Sequence, residues 1–156
     1  MSSYASPAGH AFLDRALYLP KSWTQDRERC RRAGIPDDVE FASKPELARR
    51  MLECAMDQDI PAAWVTGDSV YDGNRSLRLW LEERSQPFVL EVTCNESLWW
   101  QSFHYTRSDE IAAALPDDAW QTLSVGSGSK GERWYDWALT PLGPLSSDPT
   151  QPLDTG

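Results

Sequence analysis

The chain has 156 residues, 40% hydrophobic and 25% charged, the profile of one ordinary globular domain and not of a disordered chain. Its 15 basic and 24 acidic residues give a net charge of -9, which argues against a stand-alone nucleic-acid binder held by a basic face. No apolar run reaches the roughly 18 residues of a membrane helix, and the N-terminus lacks a secretory pattern. Cys30, Cys54 and Cys94 fit neither a disulfide framework nor a zinc ribbon, so the expected compartment is the reducing cytoplasm.

Taken in chain order, His10 to Pro20 is apolar and closed by proline, and reads as a strand. Lys21 to Gly34 is a polar connector with room for a short helix. Its basic cluster, Arg27, Arg29, Arg31 and Arg32, is diluted by Asp26, Glu28, Asp37 and Asp38 and reads as a solvated, mixed-charge stretch. The clearest helix follows. Ser43 and Glu46 have capping-box spacing and Pro45 stands in the first turn. Leu47, Ala48, Met51, Leu52, Ala55 and Met56 then share one face, and the helix ends near Asp57 to Asp59.

Ala62-Ala63-Trp64-Val65 opens a strand that stops at Gly67, and Asp68 follows it directly. After a turn at Asp72-Gly73, Asn74 caps a second helix whose Leu77, Trp80, Leu81 and Arg84 lie on one face. Pro87 to Val92 is another short strand. Helix, strand, helix, strand with short links predicts an α/β fold with parallel strands and crossover helices. Beyond Thr93 the stretch "SLWWQSFHY" is aromatic-rich, and Ser108-Asp109-Glu110 opens a short helix with Ile111 and Leu115 inside. "WQTLSV" and "RWYDWALTPL" flank "GSGSKG" as a hairpin, and 143–156 reads as a disordered tail.

Asp68 is the principal candidate for chemistry. In open parallel sheets, active-site groups gather at the carboxyl ends of strands, and Gly67 permits a sharp turn or a close approach there. The alternative is an aspartate that bonds its own backbone in a turn. Other constellations are weaker. "GSGSKG" lacks the Lys-Ser/Thr and the following helix of a phosphate loop. Nothing in the spacing joins Asp68, His104 and Ser69 or Cys94 into a hydrolase set, and His10 stands alone. Trp99, Trp100, Trp134 and Trp137 have no interleaved basic residues and read as core or hairpin-face aromatics, and the cysteines as buried apolar residues.

The segments "GHAFLDRALYLPKSWTQDRERCRRAGIPDDVEFASKPELARRMLECA", "AAWVTGDSVY", "LRLWLEE" and "DAWQTLSVGSGSKGERWYDWALTPL" together resemble the middle of bacterial insertion-sequence transposases of the DDE superfamily, from about Tyr4 to Leu142. The resemblance implies a partial ribonuclease-H-like core over 4–142, with 93–142 as a family insertion carrying a β-hairpin. It implies three acids holding two Mg2+ ions for DNA strand cleavage and transfer, with Asp68 matching the second acid as catalytic residue and metal ligand. No residue matches the first acid, on an upstream strand, or the third, on a late helix; Asp72, Glu91, Glu96 and Asp136 do not stand where the family places ligands. Asp72 replaces the family's glycine, and Ser127 an expected acid. The expectation is a truncated transposase fragment lacking the first strand and last catalytic helix, inactive alone, with weak or no DNA binding of its own. The alternative is a binding module that associates with full-length transposase and inhibits it.

Overall fold

The structure is a computed structural model describing residues 1–71, 74–101 and 104–145. The chain divides into two compact units, Met1–Glu91 and Val92–Gly156.

In the first unit, β1 (Ser2–Ser6) and β2 (Gly9–Asp14) form an antiparallel hairpin. The strand read over His10–Pro20 therefore stops at Asp14, and it gains a partner, β1, that its polar sequence did not announce. The polar connector carries two helices, α1 (Lys21–Thr24) and α2 (Arg27–Arg32). Asp26 caps α2, accepting from the Arg29 N–H at 2.9 Å. Cys30 is fully buried and donates its thiol to the Trp23 carbonyl, tying α2 to α1.

Helix α3 (Lys44–Asp57) starts as expected, with Ser43 Oγ accepting from the Glu46 N–H at 3.3 Å. The Glu46 side chain instead pairs with Arg50 one turn on. Next come β3 (Val65–Gly67), a 3-10 turn over Ser69–Tyr71, α4 (Arg75–Glu83) and β4 (Phe88–Leu90). Asn74 caps α4, accepting from the Leu77 N–H at 2.8 Å. The apolar run before Val65 is not taken into β3; Trp64 is 61% exposed.

Strands β3 and β4 are parallel, with Val65 opposite Phe88 and Gly67 opposite Leu90, and α4 is the crossover between them. Val65, Leu77 and Leu81 form the buried centre, covered by Leu52 and Met56 of α3 and by Tyr71, Trp80 and Phe88. Each fully buried leucine contributes about 1.5–3 kcal/mol, so this small cluster is what holds the β3–α4–β4 unit together. Arg84 lies over the Trp80 ring and pairs with Glu53, which also takes Arg49. The α/β class holds, while the parallel arrangement is confined, among the described residues, to this one pair.

The second unit holds β5 (Ser97–Trp100) and β6 (His104–Arg107) as an antiparallel pair, then α5 (Ser108–Ala114). Ile111 is buried in α5, and Leu115, expected inside the helix, is its C-terminal cap. The Arg107 guanidinium beside Asp109 holds that carboxyl below the usual carboxylate range. Trp99 and Leu145 are buried, and Gly143 donates its N–H to the Trp99 carbonyl at 2.8 Å. So Gly143 to Leu145, read as the start of the tail, pack against β5; residues 146–156 lie outside the described residues.

The hairpin β7 (Gln121–Gly128) and β8 (Gly131–Trp137) turns at Ser129-Lys130, a tighter tip than the full "GSGSKG". One face carries Thr122 bonded to Asp136, Ser124 bonded to Glu132, and the exposed Trp134 opposite Ser124. The other presents Leu123, Tyr135 and Trp137, all exposed.

Candidate functional site

Asp68 leaves the carboxyl end of β3 as its sequence position suggested, and it is exposed. Its Oδ1 accepts from the Val70 N–H at 3.2 Å, and its carbonyl accepts from Tyr71 at 3.1 Å, opening the 3-10 turn. The turn-forming role is thus present. It occupies one carboxylate oxygen, and the side chain has no other hydrogen bond or ion pair among the described residues.

Gly67 is needed for space more than for backbone freedom. It does not have a positive φ. A Cβ there would stand 3.0 Å from Leu90 Cδ2 and 3.2 Å from Tyr71 Cδ2, so a side chain would push Tyr71 off the strand end.

The register supplies a neighbour. With Gly67 opposite Leu90, the residues that follow, Asp68 and Glu91, leave the same edge of the parallel pair, and the Glu91 N–H donates to the Gly67 carbonyl at 2.9 Å. Sequence reading left Glu91 aside. The available signal was that both strands, "WVTG" and "PFVL", run straight into a carboxylate.

The other candidates are not gathered here. Ser69 belongs to the 3-10 turn beside Asp68, while His104 on β6 and Cys94 belong to the second unit, and both are exposed. His10 lies exposed on β2. Of the cysteines, Cys30 is buried but Cys54 and Cys94 are exposed, against the expectation for all three. Trp99 is a core residue, Trp100 bonds Thr140 through its indole N–H, and Trp134 and Trp137 are exposed hairpin residues. Asp136 is engaged by Thr122, and Asp72 lies outside the described residues.

Residues 2–124 match the family described as DDE superfamily endonuclease. The chain belongs to that family. No curated protein and no solved structure matches it. The match ends inside β7, so the similarity noted through Leu142 extends beyond the matched segment.

Membership in the DDE superfamily endonucleases implies a DNA substrate and, for such nucleases, divalent metal ions. The donor set is small for that chemistry. Among the described residues no group of three His, Cys, Asp or Glu side chains is placed to hold a metal ion. Asp68 and Glu91 are two carboxylates on one strand edge, too few to enclose two ions, so the described residues do not by themselves make a two-metal site. No helix among them is long and apolar enough to cross a membrane.

Proposed function

We propose that this chain is a truncated DDE transposase core of the ribonuclease-H-like type, related to DNA transposition, which presents Asp68 as a Mg2+-ligating acid and does not cut DNA by itself. The observation that carries the reading is the position of Asp68. It follows a strand of a parallel pair whose Val65 is buried, with one carboxylate oxygen unbonded among the described residues, in a chain whose residues 2–124 match the endonuclease family. A hard cation such as Mg2+ takes oxygen ligands, typically one or two carboxylates with water and substrate phosphate. The count of carboxylates at this edge supports partial binding and no independent cleavage. Cytoplasmic placement agrees with the three free thiols.

Two measurements test this. Terbium(III), a hard oxygen-seeking ion excited through nearby aromatic rings, should give a luminescence signal with the chain, since Tyr71 packs beside Gly67. Asp68→Asn should lower it; a signal indifferent to that substitution removes Asp68 from the metal role. Supercoiled plasmid incubated with the chain and Mg2+ should stay intact, and Mg2+-dependent nicking lost in Asp68→Asn would overturn the inactivity.

A second reading, association with an intact transposase and inhibition of it, is favoured by the exposed Leu123, Tyr135 and Trp137 on one face of the β7–β8 hairpin. Co-purification with intact transposase supports it, and a clean monomer at micromolar concentration overturns it.

A further inference from the structure

Charge is unevenly placed along this acidic chain. Residues 15–50 hold nine of its 15 basic residues but only six of its 24 acidic ones, so a protein of net charge -9 carries a net positive segment. Within that segment Tyr18 and Phe41 meet edge to face, with ring centroids 6.5 Å apart. Lys21 Nζ lies 5.0 Å from the Phe41 centroid, and Lys44 Nζ lies 5.4 Å from that of Tyr18.

Both lysines are exposed, and neither has a hydrogen bond or ion pair among the described residues. Three neighbouring cations are already engaged. Arg27 donates to the Val39 carbonyl, Arg31 pairs with Asp37, and Arg50 pairs with Glu46. A ring face positions an ammonium without neutralising it, so Lys21 and Lys44 keep their full charge at fixed places. Lys44 is also the first residue of α3, where the positive end of the helix disfavours a cation. The Tyr18 ring offsets part of that cost, and an incoming anion would offset more of it. Asp38 and Glu40, which border the adjoining recess with Leu17 and Leu47, confine the positive ground to the platform itself.

We propose that the Tyr18–Phe41 platform with Lys21 and Lys44 is a contact surface for the sugar–phosphate backbone of duplex DNA, each ammonium standing opposite one phosphate. Because the lysines lie over the rings, the rings are not open for stacking of unpaired bases, which favours a duplex over a single strand. The inference rests on the endonuclease reading for the identity of the polyanion, and not on Asp68.

The test is fluorescence anisotropy of a short labelled duplex with the whole chain over a NaCl series. Each phosphate contact adds about 0.9 to the slope of log K against log salt, so Lys21→Gln/Lys44→Gln should lower the slope by about 1.8 for any duplex sequence. Glutamine keeps the stem on the ring, and an unchanged melting temperature in the double variant shows that the platform survives. Lys130→Gln, at the hairpin turn, should leave the slope as it is. An unchanged slope in the double variant, no duplex binding at low salt, or tighter binding of a single strand overturns the proposal. Asp68→Asn should keep the slope while losing the terbium signal, so the two readings fail separately.

Discussion

Leu81 has no exposed surface and packs with Leu77 and Val65 at the centre of the first unit. Removing its side chain forfeits the transfer free energy and leaves a cavity that two helices and a strand cannot readily close. Leu81→Ala is therefore expected to destabilise by about 2–5 kcal/mol, read as a fall in denaturant midpoint at unchanged slope; a loss near zero would show that the cluster is not the core. Asp68 is the opposite kind of residue. It is exposed, and asparagine can accept the same Val70 N–H, so Asp68→Asn isolates the carboxylate charge from the turn. The Arg107–Asp109 pair is about half exposed on both sides, and such pairs contribute little to stability even where they depress a carboxyl pKa.

Three helices end in the same way. After α2, α3 and α4, the residues Gly34, Asp59 and Ser85 take left-handed φ values of 72°, 54° and 52°. Around each, the N–H two residues past the cap reaches back five residues: Ile35 to Cys30, Ile60 to Ala55, and Gln86 to Leu81. That is the Schellman arrangement, in which glycine is the favoured left-handed residue. Ser85→Gly should raise stability by roughly 0.5–1 kcal/mol, relief of the left-handed strain outweighing the added chain entropy, and a lowered midpoint would refute this. The starts of α3 and α4 were legible because Ser43 and Asn74 carry the side-chain oxygens that do the capping. Their ends were less so, because aspartate and serine stand where the glycine signal would be. Strand β1 was illegible for a related reason: "SSYAS" has almost no apolar alternation and is a strand only through its pairing with β2. For the site, the place of Asp68 at a strand end could be read from "WVTGD". That a carboxylate also ends "PFVL" could be read, but that Glu91 leaves the same edge depends on the register between Gly67 and Leu90.

At the scale of the whole molecule, the chain is two units whose described sheets have two strands each. Among the described residues every strand pairs with an immediate neighbour in sequence; three pairs are antiparallel, and β3 and β4 are the parallel pair, with a helix between them. That difference sets an order in time. Hairpin contacts close short loops and form within microseconds, whereas joining Val65 to Phe88 must first close a longer loop and is rewarded only when α4 settles on both strands. The expectation is that pulse-labelled hydrogen exchange during refolding protects the β5–β6 and β7–β8 amides before those of Thr66 and Val89; simultaneous protection would contradict it. On a ribosome the same geometry has a further consequence. The edge that bears Asp68 cannot exist until Leu90 has left the exit tunnel, so the candidate site is assembled late within its own unit even though its acid is made early.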